Sequence, residues 1–332
     1  MILPMPKASP HAIASFDNLL GQRNCMPFDE FVKWALYDGQ TGYYSTARKR
    51  IGKQAECDFY TSSTLHPIWG ELVVEACVTL LGQHNPADFV FVEIAAEPND
   101  SVLNSITHPF GKHQIIRLGD PVKMPKQAIA YSNEWLDAQP FKRFRFSKES
   151  KGWKEIYVLK EKDQLVEIEQ PIHPNDENSL PKNGKAGDIF DWPCGARHAL
   201  RKMLAFNSWS GVFLTFDYGL TREVLLRDRP QGTARAYHRQ KMETNLLSRP
   251  SEQDLTCHLC WEDLEECLEE ENFRSIGVKN QESFLLSHSS KRIRQAFEEK
   301  LGPHDPKMQA LKEILHPAHL GHSLHALWGV RE

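Results

Sequence analysis

Three short apolar runs, each ending in polar residues, constrain the fold of this chain more than any other feature. The runs span 88–95, 128–132 and 212–216, and their polar ends are Glu93, Asn133-Glu134 and Asp217-Tyr218. Nearly continuous apolar runs of this length are typical of strands covered on both faces in a parallel sheet. Because ligands bind beyond the carboxyl ends of such strands, the three ends predict one binding crevice.

Helical and antiparallel patterns surround these runs. Apolar residues recur at helical spacing in 28–37, 68–81, 196–206, 261–271, 290–301 and 308–315. Further strand candidates are 114–118, 284–286 and 324–330. Alternating segments separated by turns predict an antiparallel β-meander inserted at 144–170. We therefore expect an α/β fold with an N-terminal arm (1–25), a helical and loop region (26–87) and an α/β domain (88–330).

Composition excludes several classes of protein. The 332 residues carry a net charge of -4, which gives no bulk attraction to nucleic acid or anionic lipid. The seven cysteines are odd in number and scattered, unlike a secreted disulfide framework. No leader-like segment precedes Cys25, and no apolar run reaches the roughly 18 residues of a membrane span. We expect a cytoplasmic protein that contacts neither membrane nor nucleic acid.

One cluster, Cys257-His258-Leu259-Cys260 with Cys267, could suggest zinc. No fourth ligand stands at the usual spacing, and alternate residues of a strand point to opposite faces. We expect no metal site.

A set of motifs in fixed order resembles one family. The motifs are Gly42-Tyr43-Tyr44, Asp58–Ser63, Trp69-Gly70-Glu71-Leu72, Ser132–Pro140, Asp217-Tyr218-Gly219, Gly232–Tyr237 and Gln281–Leu285. Together they resemble the MidA family, which includes a methyltransferase that assembles respiratory complex I. The resemblance implies a class I, Rossmann-like methyltransferase: a mostly parallel central sheet with helices on both faces. It also implies S-adenosyl-L-methionine (AdoMet) as cofactor and an arginine of a partner protein as methyl acceptor.

The loop after the first apolar run departs from the family pattern of a glutamate followed by alternating glycines. Glu93 matches, whereas Ala95, Glu97 and Asn99 stand at the glycine positions. Side chains there hinder close approach of a ligand and tolerate positive φ less well than glycine. Glu97 also places a negative charge where the carboxylate of AdoMet should rest. Asp100 or Asn99 could still cap a short helix starting near Ser101.

Other cofactor residues follow from the resemblance. It implies that Asp58, Thr61 and Ser62 lie in a loop covering the cofactor pocket, with Gly70 and Glu71 beside it; the alternative for this loop is a Ser/Thr or Asx turn. Residues 119–126 are too few for a helical crossover between parallel strands, so a strand and helix of the family are expected to be missing. Asp120 could replace the missing ribose-binding acid, or form part of a surface Gly-Asp-Pro turn.

The acceptor side rests on two polar clusters. Asn133, Glu134 and Asp137 are candidate catalytic residues, because carboxylates orient a guanidinium by paired hydrogen bonds. They could instead cap backbone groups at a strand-to-helix junction. The substrate-side candidates are Asp217, Tyr218, Arg235 and His238. For these the alternatives are a capping role and solvated loop side chains.

Two main functions follow. The first is AdoMet-dependent methyl transfer to a protein side chain, arginine by resemblance. The alternative is a degenerate relative that keeps the fold and binds a partner protein without methyl transfer. A third possibility is an enzyme that uses the crevice for another small molecule, because a fold does not determine function.

Overall fold

The structure, a computed structural model, describes residues 9–46, 50, 52, 57–58, 62–98, 100–162, 164–205 and 209–332. In chain order, the helices are α1 (Pro10–Leu20), α2 (Phe28–Tyr37), α3 (Ser62–Leu65), α4 (Ile68–Leu81), α5 (Cys194–Leu204), α6 (Arg222–Arg227), α7 (Trp261–Glu270), α8 (Gln281–His288), α9 (Ser290–Glu298) and α10 (Pro306–Leu315).

The strands, also in chain order, are β1 (Cys25–Pro27), β2 (Val90–Ile94), β3 (Lys112–Ile116), β4 (Gln127–Asn133), β5 (Lys142–Ser147), β6 (Gly152–Glu161), β7 (Gln164–Gln170), β8 (Ile189–Trp192), β9 (Ser210–Asp217), β10 (Gly219–Leu220), β11 (Arg235–His238), β12 (Lys241–Glu243), β13 (Asp254–Thr256), β14 (Leu259–Cys260), β15 (Arg274–Asn280) and β16 (His325–Arg331). The chain therefore has the mixed α/β fold that the sequence predicts. Among the helices of the described ranges, none is both long and apolar enough to cross a bilayer.

The chain divides into two compact units. Unit 1 comprises Met1–Phe59, Asp137–Ala196 and Leu220–Cys260, and unit 2 comprises Tyr60–Leu136, Arg197–Gly219 and Trp261–Glu332. Each unit contains its own hydrophobic core.

Unit 2 is built on a sheet with strand order β15-β16-β9-β4-β2-β3. β2 pairs in parallel with both β3 and β4, and β4 pairs in parallel with β9. β16 pairs antiparallel with β9 and β15. All of residues 117–126 are described, and they join β3 to β4 without a helix or strand, as their small number predicts.

Both faces of this sheet are covered. Alternate strand residues, such as Phe91, Tyr131 and Phe216, pack in one core with apolar residues of α4, α8, α9 and α10. The residues between them, such as Val92 and Phe213, are equally buried. This explains why β2, β4 and β9 appear in the sequence as continuous apolar runs rather than alternating ones.

Unit 1 contains the predicted antiparallel meander. β6 pairs with β1, β5 and β7, and β5 pairs with β8, all antiparallel. A second antiparallel sheet has the order β12-β11-β13. Aromatic residues of α1 and α2, including Phe16, Phe28 and Trp34, pack in the core of this unit.

The secondary structure of residues 10–20 and 284–286 differs from the prediction. Residues 10–20, expected in an arm, form α1: Ser9 Oγ accepts from the Ala12 amide, and Pro10 occupies the first turn, where a missing N–H costs nothing. Residues 284–286, expected as a strand, lie in α8. There Asn280 Oδ1 accepts from the Ser283 amide and caps the helix, a signal that a three-residue apolar run conceals.

Candidate functional site

Three strand ends meet at one edge of the sheet in unit 2. Ile94 lies opposite Ser132 in the register of β2 and β4, and Asn133 lies opposite Phe216 in the register of β4 and β9. Because the pairings are parallel, the polar residues that follow all three strands lie at the same edge. The structure thus brings together the ends from which the sequence predicted a crevice.

The loop after β2 keeps a glycine-like backbone without glycine. Ala95 has φ +60°, in the left-handed region that costs a residue with a Cβ about 1–2 kcal/mol. Its amide donates to Ile116 O at 2.8 Å, which ties the loop to the end of β3. Asn99, the third residue at a glycine position, lies outside the described residues.

The side chain of Glu93 binds groups of its own chain. Its carboxylate accepts from Ser101 Oγ at 2.6 Å and from the Val102 amide at 2.9 Å. His113 Nε2 lies 3.4 Å from the same carboxylate. Only 6% of Glu93 is exposed, so its contacts organise residues 101 and 102 rather than leaving a free carboxylate at the edge.

The helix expected near Ser101 is not formed. Residues 101–111, all described, contain turns but no helix, and Ser105 has φ +63°. Asp100 Oδ1 does accept from the Ser101 amide, at 2.8 Å, but the cap leads into a turn. The segment is rich in Ser, Asn, Thr and β-branched residues, which form helices poorly. No helix N-terminus therefore follows β2 to attract an anion.

Arg117, which sequence analysis overlooked, holds this loop from the end of β3. Its Nε donates to Glu97 O at 3.2 Å, and its Nη2 donates to Asp100 O at 3.1 Å. Asp120 Oδ2 accepts from the Arg117 amide at 2.8 Å and closes an exposed turn. Asp120 thus has the geometry of the turn alternative, and the residue at the strand end is a cation. The available signal was a charged residue near the end of the strand candidate 114–118.

Asn133 and Glu134 form the polar pair at the end of β4. Asn133 Nδ2 donates to Glu134 Oε1 at 3.0 Å. Asn133 Oδ1 is buried and has no hydrogen-bond partner among the described residues. Glu134 has φ +49°, and its amide donates to Phe216 O at 2.8 Å. A buried unpaired acceptor beside a strained residue is a feature that binding sites share.

Asp217 supports the same edge from β9. Its fully buried carboxylate accepts from the amides of Trp135, Leu136 and Tyr218 at 3.2, 2.8 and 2.8 Å. It therefore fixes the backbone that follows Asn133 and Glu134, which is the capping alternative. Tyr218 follows it in the chain and is half-buried.

Tyr131, two residues before Asn133, is fully buried and accepts from Trp69 Nε1 at 3.0 Å. Burial, reinforced by the charge of Glu93, holds the pKa of Tyr131 well above its usual range. The phenol therefore stays neutral and is unsuited to act as a base.

The predicted cofactor residues on α3 and α4 have packing and pairing contacts in unit 2. Ser62 Oγ donates to Gln281 Oε1 at 3.4 Å. Gly70 allows α4 to approach the backbone of Val102. Glu71 pairs with Arg292. Thr61 lies outside the described residues.

The remaining candidates belong to unit 1. Asp58, only 1% exposed, accepts from Tyr43 OH at 2.7 Å and from the Arg239 amide at 2.6 Å. The backbone carbonyl of Asp137 accepts from the Cys257 amide, and its side chain is buried.

Arg235 and His238 lie on β11 in unit 1. Arg235 donates to its neighbour Ala234 O at 2.7 Å, and His238 Nδ1 lies 2.8 Å from Glu252 O. Both contacts are to backbone carbonyls. Within the described ranges, no group of three or more His, Cys, Asp or Glu side chains could hold a metal ion.

The strand-end edge can be compared with the chemistry of AdoMet. An ammonium needs acceptors, which Asn133 Oδ1 and the carboxylate of Glu134 provide. A carboxylate needs donors, and the Ala95–Asp100 loop has neither glycines nor a following helix to provide them. The edge therefore offers acceptors for the ammonium of AdoMet. The glycine turn and helix N-terminus that usually donate to its carboxylate are replaced by other residues.

Comparison with known proteins gives a family and a fold. Residues 77–279 match the model of a family described as "Putative S-adenosyl-L-methionine-dependent methyltransferase". A search of curated proteins finds no match.

Two crystal structures from Burkholderia thailandensis share the fold. One, a superfamily member described as a "likely methyl transferase", has S-adenosyl-homocysteine bound; it superposes with TM-score 0.83 and 19% identity, over 98% of this chain and 95% of that one. The other, a native structure of an uncharacterized member of the same superfamily, has TM-score 0.76 and 18% identity over the same shares. At these identities the likeness establishes the fold alone.

Proposed function

The chain belongs to this family of AdoMet-dependent methyltransferases, and we propose that it transfers a methyl group to a nitrogen of a protein side chain, arginine in the first instance. The family match covers more than half of the chain and confirms the predicted family, enzyme class and cofactor. The acceptor, the partner protein and the class I layout of the sheet are our proposals. In that layout, the sheet of unit 2 would lack one strand at the β3 edge.

The buried, unpaired Oδ1 of Asn133 beside Glu134 carries the proposal. A buried acceptor without a partner loses about 1–3 kcal/mol, so a site that keeps one is suited to a ligand that donates to it. A guanidinium offers several N–H donors in a plane and pairs well with a carboxylate. Asn133 and Glu134 together can bind such a group, orient one nitrogen and neutralise its charge.

Each residue has a defined part in this reaction. Bound AdoMet supplies an electrophilic methyl group. In this proposal Glu134 accepts the proton that the nitrogen loses on methylation, and Asn133 Oδ1 fixes the orientation of the acceptor. Asp217 keeps the backbone of Trp135 and Leu136 in place, so it acts as a positioning residue.

The acceptor can be tested with methyl-labelled AdoMet and three synthetic peptides that differ only in a central Arg, Lys or Gln. We expect label on the Arg peptide alone, located by mass spectrometry. Label on the Lys peptide would show that the methyl acceptor is a lysine amine and not arginine. Failure of the wild-type chain to bind S-adenosyl-homocysteine in calorimetry would favour the alternative of a partner-binding relative without methyl transfer.

Asn133→Leu tests the site itself. We expect kcat/KM for the peptide to fall at least tenfold, about 1.4 kcal/mol, while the Kd of S-adenosyl-homocysteine changes less than twofold. Asn178→Leu, at an exposed position, is the matched control and should change neither. If Asn133→Leu instead raises the Kd of S-adenosyl-homocysteine, Asn133 and Glu134 bind the ammonium of the cofactor, and our assignment of the acceptor site is wrong.

A further inference from the structure

The loop after β2 has few amides left for a ligand. Amides that already donate within the chain are those of Ala95, Asp100, Ser101, Val102, Leu103 and Asn104. Pro98 has no N–H to donate. Six amides in this part of the loop are therefore already committed, which leaves few backbone donors for a carboxylate at the position where related folds bind one.

The electrostatics of the loop also disfavour an anion held by backbone alone. Glu93 supplies the negative charge that caps residues 101 and 102. Glu97, which has interactions of its own, is a second acid in this loop. No helix dipole opposes these charges, since residues 101–111 form none. A carboxylate bound at this loop needs a cation.

Arg117 is a cation at this loop. The side chain is half-buried, and its Nε and Nη2 donate to the carbonyls of Glu97 and Asp100. Among the described residues, Nη1 makes no hydrogen bond, so part of the planar donor set remains available. A guanidinium binds a carboxylate through two parallel hydrogen bonds, which a lysine cannot reproduce.

We propose that Arg117 binds the carboxylate at the methionine end of AdoMet and so replaces the glycine turn and helix N-terminus of related folds. The inference rests on the proposed function, because it requires AdoMet to bind at this edge. It assigns the carboxylate of the methionine moiety to a donor at the end of β3, and it leaves Asn133 and Glu134 to the methyl acceptor. It also gives the loop carbonyls a role, since they hold the guanidinium in place.

The test compares two ligands that differ in the part Arg117 is to bind. S-adenosyl-homocysteine carries the amino-acid carboxylate, and 5′-methylthioadenosine lacks it. We expect Arg117→Gln to raise the Kd of S-adenosyl-homocysteine at least tenfold in calorimetry and to leave that of 5′-methylthioadenosine within twofold. Arg117→Lys keeps the charge and should lose less. Arg294→Gln, on an exposed position of α9, is the control for loss of a positive charge.

Three outcomes would overturn the inference. If Arg117→Gln raises the Kd of both ligands equally, Arg117 only supports the loop. If it changes neither Kd, the carboxylate is bound elsewhere. If the wild-type chain binds neither ligand, the proposed function fails and the inference fails with it, which distinguishes this case from the first two. Should Arg117→Gln not fold by circular dichroism, Arg117→Lys gives the same comparison, because an ammonium can still donate to the loop carbonyls.

Discussion

Gly70 shows how one residue can satisfy a motif for a reason the motif does not reveal. It is buried in the first turn of α4. A Cβ at this position would lie 2.1 Å from Val102 O and 2.8 Å from Ile106 Cδ1. The resemblance placed Gly70 at the cofactor, whereas the contacts explain it by close packing of α4 on the segment that follows the β2 loop.

Gly70→Ala should therefore destabilise the protein. Alanine favours a helix interior by about 1 kcal/mol over glycine, but a clash with backbone costs about 1–3 kcal/mol or more, so we expect a net loss. Chemical denaturation measures it. Gly302→Ala, where a Cβ meets nothing within 4 Å, should be neutral or slightly stabilising. Equal effects of the two substitutions would contradict the packing explanation.

The candidate site was predictable where a residue follows a recognisable strand. Asn133, Glu134 and Asp217 were identified in this way, because an apolar run predicts a strand and the polar residue after it marks where the strand ends. Arg117 was missed, since it lay within the strand candidate 114–118, where a charged side chain looks solvated in the sequence. Its contacts are with carbonyls 17 and 20 residues away, and such pairing depends on tertiary structure.

At the scale of elements, long amphipathic helices and buried strands were predicted, and short or capped elements were not. α2 and α4 match the predicted ranges 28–37 and 68–81, since ten or more residues of helical spacing specify a helix. β15 was missed because its residues are mostly exposed or half-buried and show no apolar run. α8 was misassigned because three apolar residues fit either element.

The hairpin of β11 and β12 is an element under strain. Its central residues, Arg239 and Gln240, have φ +49° and +59°. Two-residue hairpin turns of this kind favour Asn-Gly. Asp58 holds the turn: its carboxylate accepts from the Arg239 amide at 2.6 Å and its carbonyl from the Gln240 amide at 3.0 Å.

The double substitution Arg239→Asn, Gln240→Gly should stabilise unit 1. Relief of the left-handed strain is worth about 1–2 kcal/mol, partly offset by the greater freedom of glycine in the unfolded chain. We expect a higher denaturant midpoint with an unchanged slope. Lys241→Gly, one residue further on and in β12, should instead lose about 0.5–1 kcal/mol. A destabilised double variant would show that the Arg239 and Gln240 side chains make contacts that outweigh the strain.

At the scale of the whole molecule, each unit is assembled from three separate segments of the chain. The sequence predicts contiguous ranges such as 26–87 and 88–330. A change of composition marks where a segment starts, but it does not show which segments pack together. The cores reflect this: one gathers residues from Ala12 to Cys257, and the other from Ile68 to Trp328.

In unit 1, three carboxyl groups surround a single lysine, Lys142. Lys142 Nζ lies 2.6 Å from Asp176 and 3.3 Å from Glu155. Asp29 also faces Lys142, and its Oδ1 is buried without a hydrogen-bond partner among the described residues. Burial, only partly opposed by Lys142, raises the pKa of both Asp29 and Glu155. The three carboxylates raise the pKa of Lys142 despite its own burial.

The sign of the pH dependence follows from these shifts. Because the pKa of Asp29 is higher in the folded state, the folded chain keeps a proton that the unfolded chain has lost, and stability falls as pH rises from about 4 through the raised pKa. Asp29→Asn removes that charge. We therefore expect a higher free energy of unfolding than wild type at pH 7, and a difference that shrinks as pH falls below 3.8, where the carboxyl is protonated in both states.

Urea denaturation at pH 3 and pH 7 measures this difference. Glu30→Gln is the matched control, because Glu30 lies in the same first turn of α2 but pairs with exposed Arg23. A surface pair contributes about 0–1 kcal/mol, so its loss should lower stability slightly at pH 7. If Asp29→Asn also lowers stability at pH 7, attraction to Lys142 outweighs the burial of Asp29, and the cluster stabilises the charged form.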